Sequence, residues 1–233
     1  RFWHVYSSGP EGIFLKRGQK LNITTASGFP FVKIERLARQ IDDRLYFGKA
    51  FIYPLVAAPF IGLGGLNGLL LLNVFLLAGV FCCAYAFASE RLNHTGAAFI
   101  ASGFIGASIV PLYAIWLMPE IFNMSLVFYA YFLWLFKEVR RNPATRHSLL
   151  NNKSSDLIAA ILLGLVTFSK PSHLPLILPL IILAVWRKEF RHAIIVGLVF
   201  TLVVGTTFGV TGLTSGEFNY QGGDRRTFYG RFP

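Results

Sequence analysis

Thirty residues from Leu157 to Trp186 are apolar almost throughout, broken near their middle by Ser169, Lys170, Pro171, Ser172 and His173. As one straight helix the run would reach about 45 Å at 1.5 Å per residue, well past a hydrocarbon core of about 30 Å. Pro171 removes a backbone donor and disfavours helix at Lys170. The run is therefore expected to break into two short limbs, 157–168 and 174–186, with Lys170 at the turn between them. A cation at membrane depth costs about 2.5–3.5 kcal/mol, which marks Lys170 as a paired or functional group. The alternative is a lysine that snorkels and only caps the turn.

The rest of the chain is as apolar. Of 233 residues, 54% are hydrophobic and 14% charged, against about 25% charged in soluble domains. Ala50 to Ser89 holds no charged side chain. The expected fold is all-α, a polytopic membrane helix bundle. Its net charge of +11 sits mainly in loops between apolar runs, where basic residues orient membrane proteins, so nucleic acid is not an expected partner. Cys82 and Cys83 are adjacent, without a zinc-ligand spacing, and read as packing residues. The chain opens at Arg1 without a signal-peptide pattern and reads as an internal piece of a longer protein.

About six spans are expected: 66–88, 96–118, 121–136, 157–168, 174–186 and 193–213. Residues 50–65 are apolar but short and contain Pro54 and Pro59, which suits an interfacial or re-entrant segment. Residues 1–49 form a loop in which 32–45 has the spacing of an amphipathic helix, and 214–233 form a polar tail leading toward further sequence. Short basic loops stay cytoplasmic, which places 137–156 and 187–192 inside. Lys170, His173 and the Pro119-Glu120 connection then lie outside. With 50–65 interfacial, loop 1–49 is extracytoplasmic and shares their compartment.

The order of segments resembles the polytopic glycosyltransferases of the GT-C fold, the group with aminoarabinose transferases and protein mannosyltransferases. Four stretches carry the likeness: Tyr46-Phe47-Gly48-Lys49 ahead of an apolar segment closing on Leu63-Gly64-Gly65; Thr167-Phe168-Ser169-Lys170-Pro171 after Gly164-Leu165; Pro119-Glu120-Ile121-Phe122; and Lys16-Arg17-Gly18-Gln19-Lys20-Leu21. The resemblance covers nearly the whole chain and rests on order and spacing, since no single motif is specific.

It implies an integral protein of a bacterial plasma membrane that moves a sugar from a polyprenyl-phosphate donor to a lipid, glycan or protein acceptor at the outer face. Membrane lipids are its other partners. Tyr46, Lys49, Glu120, Lys170 and His173 are the implied substrate-binding residues. No certain cofactor follows, and a divalent cation stays open. The implied catalytic base is a carboxylate of the first outer loop. Here the chain departs from the pattern, because the family's aspartate follows a first span that would lie before Arg1. Glu11, Asp42 and Asp43 are the carboxylates at hand, and the true base is expected near or upstream of Arg1. A competing class is a lipid or solute transporter whose broken helix at Lys170 lines a midplane site.

Overall fold

The computed structural model describes residues 14–16, 21–25, 32–36, 45–47, 50–65, 67–115, 119–139, 150 and 152–215. The chain forms two compact units, residues 1–50 with 209–233, and residues 51–208.

In the first unit four short strands form two antiparallel pairs. Strand β1 (Phe14–Lys16) pairs with β4 (Leu45–Phe47), and β2 (Leu21–Thr25) with β3 (Val32–Arg36). The β3 strand corrects the expectation of an amphipathic helix from residue 32. Val32 and Ile34 are β-branched and alternate with Lys33 and Glu35, a period of two that a strand satisfies as well as the helical reading did.

The second unit is helical. It contains α1 (Ile52–Gly64), α2 (Asn67–Ser89), α3 (His94–Gly106), α4 (Val110–Ile115), α5 (Glu120–Val139), α6 (Ser154–Ser169), a 3-10 segment (Pro171–Ile177) and α7 (Leu178–Trp186), and α8 (Phe190–Ser215) begins in it. Two helices, α2 and the Phe190–Leu213 part of α8, are long and apolar enough to cross a membrane. Many large apolar side chains face outward, among them Phe99, Leu198 and Leu202, a surface suited to lipid and unsuited to water. Helix α1, with 13 residues, measures about 20 Å and falls short of a hydrocarbon core.

Most expected segments reappear within a few residues of their expected ends, with two differences. The stretch 96–118 is two helices. Pro111 cannot continue the ladder of α3 and sits in the first turn of α4, where its missing N–H costs nothing. Ser108 completes the break, its Oγ donating to the Ile105 carbonyl at 2.9 Å and accepting from the Val110 N–H at 3.2 Å. The limb expected at 174–186 is 3-10 as far as Ile177 and α-helical only from Leu178.

Helix α5 is the hub, packed on α2 along one side and antiparallel to α6 along the other. One core joins Ala130 of α5, Ala159, Ala160 and Leu163 of α6, Leu180 of α7, and Val196 and Phe200 of α8. Small residues let these helices approach closely. At Gly164 a Cβ would lie 2.9 Å from Val203 Cβ and Cγ1 and 3.3 Å from the Phe200 carbonyl oxygen. Gly164→Ala is therefore expected to force α6 and α8 apart and to cost about 1–3 kcal/mol, read as a lower Tm in detergent. An unchanged Tm would show that the two helices separate freely.

Ion pairs gather at one end of this unit. Asp156, at the start of α6 and 6% exposed, accepts from Lys137 Nζ of α5 and from His192 Nε2 of α8, the latter at 2.8 Å. Around it Arg187 grips Glu138 through two bonds of 2.7 and 3.0 Å, and Lys153 meets Glu189 at 2.8 Å. The bond from Arg187 holds the Glu138 carboxyl below its ordinary pKa, against a smaller opposing effect of burial. That stability is present above the ordinary glutamate pKa and is lost as pH falls through the lowered one. The α7–α8 turn closes with Lys188 in the left-handed region, φ 60°, and the Glu189 N–H reaching the Ala184 carbonyl.

Candidate functional site

At the opposite end of the antiparallel α5–α6 pair the chain reverses twice. Helix α5 begins at Glu120, just after Pro119, whose carbonyl accepts the Asn123 N–H at 2.8 Å. A carboxylate in a first turn is favoured by the helix dipole. Helix α6 ends at Lys170, whose N–H bonds to the Val166 carbonyl at 2.8 Å and whose backbone is extended, φ −150° and ψ 101°. Pro171 stops the helix there and opens the 3-10 segment, with the His173 N–H on the Lys170 carbonyl at 2.9 Å.

These reversals bring Glu120, Lys170 and His173 to one cavity of about 460 Å³, completed by Asn123, Met124, Val127, Phe128 and Tyr131 of α5 and Leu176 of the 3-10 segment. The α5 residues recur at three- and four-residue steps and so form one stripe along the helix. From Glu120 to Tyr131 that stripe runs about 16 Å at 1.5 Å per residue. Its outer part carries a carboxylate, an amide, an ammonium and an imidazole; its inner part is thioether, aliphatic and aromatic.

The polar groups differ in state. Lys170 is exposed, and among the described residues no carboxylate forms an ion pair with it. His173 is half-buried. Desolvation pushes its pKa below the ordinary 6.5, the Lys170 cation acts in the same direction, and the Val166 carbonyl opposes both. At neutral pH the ring is thus uncharged, a hydrogen-bonding group rather than a second cation. His173 Nδ1 and Asn123 Oδ1 are buried with no hydrogen-bond partner among the described residues. A buried unpaired polar atom costs about 1–3 kcal/mol, and such atoms beside a cavity commonly serve a ligand.

Three of the substrate-binding residues expected from sequence, Glu120, Lys170 and His173, therefore meet. Tyr46 lies in β4 opposite Leu15. Glu11, Asp42, Asp43 and Lys49 lie outside the described residues. Among the described residues no three His, Cys, Asp or Glu side chains come together as a metal centre, so they offer a divalent cation no full ligand set. Asn123, Tyr131 and Leu176 were not singled out from the sequence. The stripe 120, 123, 127, 131 was a legible signal for the first two, whereas Leu176 contributes through a fold of the chain that spacing does not reveal.

The arrangement suits an amphiphile, with an anionic or hydroxylated head at Lys170, Glu120 and Asn123 and an apolar chain along α5. Compared with protein-family models, curated proteins and solved structures, the chain has no match.

Proposed function

We propose that this chain is the membrane part of a glycosyltransferase that moves a sugar from a polyprenyl-phosphate donor to a lipid, glycan or protein acceptor at the outer face of a bacterial plasma membrane. In this reading it is polytopic, with six membrane-crossing segments and α1 in the interface. The observation that carries it is the meeting of Lys170, Glu120 and His173 at the polar end of a cavity whose other end is apolar. The ion-pair cluster at the other end of the α5–α6 pair adds support, because it gathers the basic loop ends that charge bias assigns to the cytoplasm.

The acceptor hydroxyl attacks the anomeric carbon as the bond from that carbon to the phosphate oxygen breaks. The polyprenyl phosphate leaves with the bonding electrons. Lys170 stabilises the charge that develops on it, a contribution that grows in a poorly hydrated site. The acceptor's proton passes to a carboxylate within hydrogen-bond reach. Neutral His173, with buried Asn123, orients the head group by hydrogen bonds.

A lipid or solute transporter is the second reading, favoured by the discontinuity between α6 and α7 at Lys170. The complete protein in proteoliposomes, supplied with a radiolabelled polyprenyl-phosphate sugar, decides between them. Label passing to an acceptor with release of polyprenyl phosphate is the expected result. Label crossing the bilayer on intact donor would overturn the transferase in favour of the transporter.

A further inference from the structure

Pro171, Pro175 and Pro179 recur every four residues. Each lacks an N–H, so carbonyls three and four positions earlier lose their helical donors. Leu176 is one of these: the residue three positions on, which a 3-10 helix would use, is Pro179. Its carbonyl instead accepts from Tyr131 Oη of α5 at 2.9 Å. The Tyr131 ring is braced edge-on by Trp134, with centroids 5.5 Å apart. Only six residues, 170–175, separate Leu176 from Ser169 at the end of α6, and they include Lys170 and His173. Tyr131 and Leu176 both line the cavity, so the bond ties its α5 wall to the segment that supplies two of its polar groups.

We propose that Tyr131 is a positioning residue, which sets Lys170 and His173 against the Glu120 end of α5 by holding the proline-rich, donor-poor 3-10 segment through the Leu176 carbonyl. This deepens the donor-site reading and rests on it. Tyr131 touches the head group of no ligand; its effect reaches the phosphate through the segment it holds. The consequence is a split by ligand chemistry. Loss of the hydroxyl weakens binding that depends on phosphate and leaves binding through the apolar chain nearly unchanged.

The test uses the full chain in lipid nanodiscs, with farnesyl phosphate and farnesol as probes and amide hydrogen exchange across residues 172–178 as a second readout. Tyr131→Phe is expected to raise the Kd for farnesyl phosphate about tenfold, as loss of one hydrogen bond does, to change that for farnesol less than about twofold, and to speed exchange in 172–178. Tyr129→Phe is the control, since it removes a hydroxyl from the same helix that bonds the Leu76 carbonyl of α2; it should leave farnesyl phosphate binding unchanged. Equal losses for both probes, or unchanged exchange in Tyr131→Phe, would overturn the positioning role. Failure of the unaltered protein to bind farnesyl phosphate would instead sink the donor-site reading, with hydrogen exchange still deciding whether Tyr131 holds the segment.

Discussion

Lys170→Met in the complete protein is expected to lower sugar transfer about a hundredfold to a thousandfold, with membrane insertion unchanged. Methionine keeps an unbranched apolar body and removes only the charge. The turn does not depend on that charge, because Pro171 ends α6 and the backbone bonds from Lys170 to Val166 and from His173 to Lys170 hold the reversal. Losing one preorganised donor to a developing oxyanion costs about 2.7–4 kcal/mol in the barrier, which sets the size of the effect. The measurement is transfer from a radiolabelled polyprenyl-phosphate sugar in membranes holding equal amounts of each protein. Near-normal turnover by the variant would return Lys170 to the role of a snorkelling turn residue.

The second large effect lies at the other end of the bundle. Asp156→Ala is expected to destabilise the protein by about 3–5 kcal/mol, since it leaves the Lys137 ammonium, 18% exposed, and His192, 13% exposed, without their shared anion. Glu189→Gln is the contrast. Its partner Lys153 is 61% exposed, and water screens such a pair, so the loss should be small. Thermal unfolding of both variants in detergent would show a large drop in Tm for the first and almost none for the second. Similar drops would mean that burial of Asp156 does not govern the strength of the cluster.

What could be read in the sequence was punctuation. Pro171 beside Lys170, and Pro119 beside Glu120, each remove a backbone donor at a charged residue, and α6 ends and α5 begins at those places. The ends of α2 were equally plain, because charge returns at Glu90 after a long apolar run. The same kind of signal at Pro111 was passed over, since the residues around it are apolar and the stretch has a spanning length. At Val32–Arg36 apolar and charged residues alternate over too short a window to separate two periodicities, and pairing with Leu21–Thr25 decides for strand.

The candidate site was legible in part for the same reason. Glu120, Lys170 and His173 stand out as polar residues at the ends of apolar runs. Their meeting required only that α5 and α6 be antiparallel neighbours, which basic loops at 137–156 and 187–192 already implied. Nothing local marked Asp156 as the shared partner of Lys137 and His192, because that contact joins three helices and depends on their rotation about their own axes. Nothing in the spacing of the apolar run sets Tyr131 apart from the aromatics around it. Its hydroxyl acquires a purpose once a carbonyl stripped of its helical donor lies opposite.

The tighter winding of Pro171–Ile177 also sets a length. Seven residues at about 2.0 Å each cover about 14 Å, against about 10.5 Å in an α-helix. Lys170 is thereby held about 3–4 Å farther from the start of α7 than ordinary helical winding would hold it. Recoiling into that shorter form is disfavoured by the ring of Pro175, which in an α-helix would press on the Pro171 carbonyl, a covalent property that no ligand changes. The segment is a gauge block, and fine adjustment to head groups of different girth falls to the rotatable four-carbon stem of the lysine it carries.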